Sequence, residues 1–153
     1  MWDKKQDTLS VNLNFLDTFE FENLTKRTML SVAHRIFDPI GFTCPATLCP
    51  KILLQKTWKE KTTWDEVISD TIKNEFKCWL DDLIRLKNIK IPRGIGIVKE
   101  KNKMSVHAFC DASKVAYAVA VFLRIEREYE VDVQLIGAKT RIAPTKNVTT
   151  PRL

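Results

Sequence analysis

Along Thr8-Leu9-Ser10-Val11-Asn12-Leu13-Asn14-Phe15 apolar residues fall at 9, 11, 13 and 15, the period of a half-buried strand. A strand this short cannot stand alone and must pair elsewhere. From Thr25 the period changes: Met29, Val32, Ala33, Ile36 and Phe37 recur at helical spacing, and Asp38-Pro39 with Gly41 predicts the stop. A second apolar run, Leu48 to Trp58, is helical in composition, and Pro45 and Pro50 predict its start near or after Pro50. Thr63 with Glu66 three residues on has the form of a capping box ahead of Ile68, Ile72, Phe76, Trp79, Leu80 and Leu83. That stripe predicts a helix over 64–87.

Past Ile91-Pro92-Arg93-Gly94 the chain turns to β-branched and aromatic runs, Ser105 to Cys110, Tyr117 to Ile125 and Val131 to Ala138. Ala112-Ser113-Lys114 and Glu126-Arg127-Glu128 make the turns, so the three strands form an antiparallel meander. The predicted class is α+β, a helical unit followed by a three-stranded meander, with the shift between them in residues 88–104. No covering helix is legible for the sheet, so apolar surface is expected to stay exposed and the isolated chain to aggregate or to unfold without sharp cooperativity.

Composition narrows the class. With 153 residues, 44% hydrophobic and 29% charged, disordered and collagen-like chains are excluded. The longest uncharged apolar stretch, Val115 to Leu123, is far short of the roughly 20 residues a membrane-spanning helix needs. No apolar segment follows the basic residues of the N-terminus, so a cytoplasmic or nuclear setting and no membrane partner are expected. Cys44, Cys49, Cys78 and Cys110 form no CxxC pair, and His34 and His107 are too few to complete a four-ligand zinc site. The thiols are expected to be reduced and mostly buried.

The net charge of +6 is local. Arg85, Lys87, Lys90, Arg93, Lys99, Lys101 and Lys103 face Glu100 alone, and Lys139, Arg141, Lys146 and Arg152 have no acid near them. Such blocks attract polyanions or form a solvated lysine-rich linker. Within the helix after Thr25, Lys26, Arg27 and Arg35 would line a nucleic-acid track if that face meets a duplex, although helical geometry sets Arg27 and Arg35 about 80° apart. Lys139 and Arg141 share one side of the third strand, with Thr140 on the other, which suits phosphate contact or solvation.

Asp111 closes an apolar strand in His107-Ala108-Phe109-Cys110-Asp111-Ala112-Ser113-Lys114. An Asp there either caps the turn through backbone amides or, held rigidly, binds a divalent cation for phosphoryl transfer. Neither histidine has a Ser or Cys partner legible at catalytic spacing, and Trp58, Trp64 and Trp79 read as packing anchors.

Three segments in order resemble the polymerase polyprotein of BEL/Pao long-terminal-repeat retrotransposons. Met1-Trp2-Asp3 with Asp7-Thr8-Leu9 is similar to the segment closing the reverse-transcriptase palm. Thr25-Lys26-Arg27 through Ala33-His34-Arg35-Ile36-Phe37-Asp38-Pro39-Ile40-Gly41, then Lys51-Ile52-Leu53-Leu54-Gln55 and Trp58, resembles the region after the palm. Phe109-Cys110-Asp111-Ala112-Ser113-Lys114 with Ala116-Tyr117-Ala118, then Ala138-Lys139-Thr140-Arg141-Ile142-Ala143-Pro144 with Pro151-Arg152-Leu153, resembles the opening of the ribonuclease H domain.

The resemblance implies a palm-like end over 1–22, a helical thumb- or connection-like region over 23–103, and the N-terminal part of a truncated ribonuclease H-like fold over 104–153. It implies that Asp111 is the first metal-binding acid of a Mg²⁺ site completed elsewhere. The family's next acid follows Pro-Arg-Leu, after Leu153, and its polymerase aspartates lie before Met1; Asp81-Asp82 falls within the long predicted helix and does not replace them. RNA/DNA hybrid and the rest of the polyprotein are the implied partners, with Lys26, Arg27, Arg35, Lys114, Lys139 and Arg141 as nucleic-acid contacts. The chain alone is expected to be inactive. One alternative is a non-catalytic truncated or domesticated nucleic-acid-binding relic. Another is a Pao-type aspartic peptidase, against which stands the missing Gly of both Asp111-Ala112-Ser113 and Asp17-Thr18-Phe19, since two carboxylates sharing a proton need small residues at close approach.

Overall fold

The computed structural model describes residues 1–19, 21–96 and 101–144. Its elements are β1 (Trp2–Asp3), β2 (Thr8–Leu9), α1 (Lys26–His34), α2 (Cys44–Lys59), α3 (Asp70–Leu83), β3 (Ile91–Pro92), β4 (Lys103–Ala112), β5 (Ala116–Glu126) and β6 (Val131–Ile142). The class is α+β, as the period of the sequence predicts. Two three-stranded antiparallel sheets, β1-β2-β3 and β4-β5-β6, accompany three helices.

The N-terminal strand is shorter than its alternation predicts. Only Thr8–Leu9 pairs, with β1 on one side and β3 on the other. Val11 and Leu13 keep the alternate burial, but the Asn12 carboxamide accepts from the Asn14 amide (3.0 Å) and turns the chain into a 3₁₀ helix over Asn14–Thr18. The small sheet is tied by Asp7, which accepts from Trp2 Nε1 (2.9 Å) and Arg93 Nε (2.7 Å). The Arg93 guanidinium lies over the Trp2 ring, 4.6 Å from its centroid, and holds the Asp7 carboxyl below its ordinary range.

Helix α1 starts where Thr25 and Thr28 exchange capping bonds: the Thr28 amide donates to Thr25 Oγ1 (3.2 Å) and the Thr25 amide to Thr28 Oγ1 (2.8 Å). It ends at His34, three residues short of Phe37, which is left exposed. Helix α2 starts at Cys44, six residues before Pro50, contrary to the predicted start. Pro45 stands in the first turn, where a missing N–H costs nothing. Pro50 has no N–H for the Ala46 carbonyl four residues back, and Trp79 Nε1 donates to that carbonyl instead, at 2.8 Å.

The third helix begins at Asp70, not 64, and passes into a 3₁₀ turn over Ile84–Asn88. Glu66 does accept from the Thr63 amide (3.0 Å), but the backbone of 64–68 is engaged by the start of α1. The Arg27 amide donates to Trp64 O (3.2 Å), the Ile68 amide donates to Leu24 O (3.1 Å), and Thr25 bridges Val67. Groups paired across the chain cannot also form a helical turn.

Leu24, Met29 and Val32 from the first helical segment, Leu53 and Leu54 from α2, and Ile72, Phe76, Trp79 and Leu83 from α3 form the core, with Val11 and Leu13 against them. The second sheet lies outside it. Every residue of β4 is exposed, and of the whole meander only Ile125 and Thr140 are buried. The strands pair in continuous register from Lys103 opposite Glu126 to Ala112 opposite Tyr117. Ile136 is an extra residue in β6, since Val121 faces Gly137 and Phe122 faces Leu135.

The sheet joins the helices along β6. The Ala138 amide donates to Ile40 O (2.6 Å), Thr140 Oγ1 to Cys44 O (3.4 Å) and Gln55 Nε2 to Ala143 O (2.7 Å). Gly41 makes this approach possible. Its φ is +89°, and a Cβ there would lie 1.9 Å from Ala138 O. All four cysteines are free, as expected; Cys78 and Cys110 are exposed and Cys44 and Cys49 half-buried, which corrects the expectation of mostly buried thiols. Partial burial pushes the Cys49 thiol up. Among the described residues no helix is long and apolar enough to cross a membrane.

Candidate functional site

Asp111 stands one residue from the end of β4, exposed, as the strand prediction requires. Two roles were open to it, turn cap or cation ligand. The turn after it is closed by Ser113: its amide donates to Ala116 O (2.8 Å), its hydroxyl donates to the same oxygen (3.0 Å), and that hydroxyl accepts from the Val115 (3.2 Å) and Ala116 (3.1 Å) amides. Asp111 contributes one short-range bond, Oδ1 accepting from the Ala112 amide at 2.9 Å. Its Oδ2 has no hydrogen-bond partner, and the carboxylate no cation, among the described residues.

Directly opposed residues of an antiparallel pair share a face. Asp111 faces Ala118, which faces Thr140, and this row looks toward the start of α2. A cleft of about 230 Å³ lies there between Phe109, Asp111, Ala120 and Ala138 of the sheet and Cys44 and Pro45 of α2. Cys110 faces Val119, which faces Lys139, and Ala112 faces Tyr117, which faces Arg141, so both cations project from the opposite face. That face carries a broader basin of about 540 Å³ floored by Cys110, Ala112, Tyr117 and Val119, with Lys139 and Arg141 among its lining residues and Asp111 at its rim. The sheet thus places its acid and its two cations within one cross-strand row of each other and on opposite faces. Lys114 lies in the intervening turn, exposed.

The three basic residues named on the first helix are not brought to this sheet end. Lys26 is 4% exposed; its Nζ donates to Thr62 O and lies 5.5 Å from the Trp64 ring centroid. Arg27 grips Asp65 with two bonds, Nε to Oδ1 at 2.7 Å and Nη2 to Oδ2 at 3.0 Å, which raises its own pKa and lowers that of Asp65. Arg35 lies over the Phe15 ring at 5.7 Å. Lys26 and Arg27 thus hold the segment 62–65 against α1. Lys146 and the Pro151-Arg152-Leu153 motif lie outside the described residues.

One pairing escaped the sequence reading, which found no Ser partner for either histidine. Ser105 Oγ is 2.9 Å from His107 Nε2, two residues apart on one face of β4. Period two along a strand is the signal that finds it. No carboxylate completes the pair among the described residues, and both lie on the open strand, so it lacks the third member and the enclosed oxyanion site of a hydrolase triad. Asp17 sits within the N-terminal 3₁₀ helix and not at a strand-end turn.

A bound Mg²⁺ takes near-octahedral oxygen ligation. Asp111 is chemically suited to one such position, but among the described residues no three ligating side chains cluster. The donors in hand do not make a Mg²⁺ site by themselves.

A family model for the Pao retrotransposon-like RNaseH-like domain matches residues 25–153. No match among curated proteins was found.

Proposed function

The chain belongs to the Pao retrotransposon-like RNaseH-like domain family, and from that premise we propose that it is a polyprotein segment that engages RNA/DNA hybrid and contributes Asp111 as one ligand of a Mg²⁺ site. The observation that carries the reading is the carboxylate: Ser113 closes the turn, which leaves Asp111 placed at a strand end with one oxygen unpartnered among the described residues. In this class of chemistry a bound divalent cation supplies Lewis acidity at the scissile phosphate. Among the described residues no three ligating side chains cluster around Asp111, so hybrid binding with one cation ligand is what they are inferred to supply. Lys114, Lys139 and Arg141 make backbone contacts around the same sheet end. Helix α1 contributes little charge to the interface, because Lys26 is buried and Arg27 is held by Asp65.

The test is a fluorescence-anisotropy titration of the full chain with a labelled RNA/DNA hybrid over a salt series, with Mn²⁺ added as a paramagnetic probe. Binding that weakens steeply with salt is expected, together with Mn²⁺ broadening of the Asp111 and Ala112 amide resonances that Asp111→Asn removes. Hybrid binding that is absent at low salt, or broadening indifferent to Asp111→Asn, overturns the proposal.

A further inference from the structure

We propose that the cleft where α1, α2 and the outer edge of β6 meet is a phosphate-binding site built from His34 and Lys51, with Lys139 across the sheet edge carrying the phosphate backbone toward it. The cleft measures about 390 Å³ and is lined from three elements, with His34 at the end of α1, Lys51 in the second turn of α2, and Ala138, Lys139 and Thr140 along the open edge of β6, where the Lys139 side chain leaves on the face away from α2. None of His34, Lys51 and Lys139 has a hydrogen-bond or ion-pair partner among the described residues. Elsewhere in the chain Lys56, Lys77, Lys101, Arg27, Arg85, Arg93, Arg124 and Arg127 all pair with carboxylates. Lys51 is half-buried in the cleft wall.

Among the described residues the cleft's one carboxylate is already committed. Asp38 accepts from the Gly41 amide (2.7 Å), the Thr43 amide (2.5 Å) and Thr43 Oγ1 (2.6 Å), which fixes the loop leading into α2. That loop is in turn pinned to β6 through Ile40 and Ala138, with Gly41 against the Ala138 carbonyl. The walls are therefore held before any ligand arrives. Lys139 also lines the basin that carries Arg141, so the cleft continues the basic edge of the sheet toward the helices. A phosphodiester running along β6 would pass from Arg141 to Lys139 and into reach of Lys51. Identifying the phosphate as nucleic-acid backbone rests on the hybrid-binding reading above; a free phosphate satisfies the same chemistry.

The experiment compares full-length Lys51→Gln with Lys59→Gln, an exposed lysine of the last turn of α2 outside the cleft, after thermal melts establish that both fold. Hybrid binding is measured by anisotropy across salt, and inorganic phosphate is titrated against amide resonances of Thr47, Lys51 and Lys139. The expected result is a weaker hybrid complex for Lys51→Gln alone, a salt slope reduced by about 0.9 per lost phosphate contact, and phosphate-induced shifts in the wild type that Lys51→Gln abolishes. If hybrid binds and both variants match the wild type, the cleft is overturned while the hybrid reading stands. If hybrid does not bind but inorganic phosphate shifts those three amides, the cleft stands and its ligand is free phosphate.

Discussion

Phe76 in α3 and Phe109 in β4 are the same side chain in opposite circumstances. The first is fully buried, its ring 5.0 Å from that of Trp79 inside the helical core; the second is 61% exposed and meets Phe122 edge-on at 5.9 Å on an open sheet. Three helices close on one another around an apolar interior, while the meander is held by backbone ladders and by the contacts of β6 with α2. The residues that fit the proposed chemistry sit on the open part. Asp111, Lys139 and Arg141 are exposed and unpaired among the described residues, whereas on α1 Lys26 is buried and Arg27 is held by Asp65. On the proposed reading stability and recognition fall largely to different regions, and an exposed sheet end is the kind of surface that a polyanion can reach.

The contrast can be broken most severely from inside the core. Phe76→Ala should cost about 3–5 kcal/mol, read as a lowered urea midpoint by Trp fluorescence, since all four tryptophans lie outside the meander. Gly41→Ala strikes the junction: a Cβ against Ala138 O in a left-handed backbone should cost more than about 1 kcal/mol. Amide exchange should quicken at Ala138 while that of α3 stays slow. Trp79→Phe keeps most of the ring but leaves the Ala46 carbonyl without the donor that compensates for Pro50. About 1–2 kcal/mol is expected, from the same urea titration. At the small end, Phe109→Ser should change stability by less than about 0.5 kcal/mol and raise the concentration at which light scattering detects association, because it removes exposed apolar surface.

How much of this was legible depended on whether a signal was local. The three long strands follow from period alone and appear where period puts them, and the stripe Ile68, Ile72, Phe76, Trp79, Leu80 and Leu83 falls on α3 except for Ile68, which lies before its start. Thr63 and Glu66 form the local bond their spacing promises, yet no helix starts there, because Leu24, Thr25 and Arg27 take the backbone groups of 64–68 from a distant part of the chain. Pro50 misplaced the start of α2 for a similar reason: a long-range donor, Trp79, compensates its missing N–H. At the site, Asp111 was found from its strand-end position and from resemblance. That Ser113 relieves it of capping, and that Lys139 and Arg141 face away from it, required the register. The cleft around Lys51 had no sequence signal, since its walls are joined only by the docking of β6 on α2.

The most direct test of the division between a closed core and an open sheet is native-state amide hydrogen exchange on the full chain. Amides in the middle of α3, Phe76 to Leu80, should be the slowest in the molecule, and those of β4, Met104 to Cys110, should exchange far faster and respond little to Phe76→Ala. Equal protection in β4 and α3, lost together in Phe76→Ala, would mean one cooperative unit and would contradict the account.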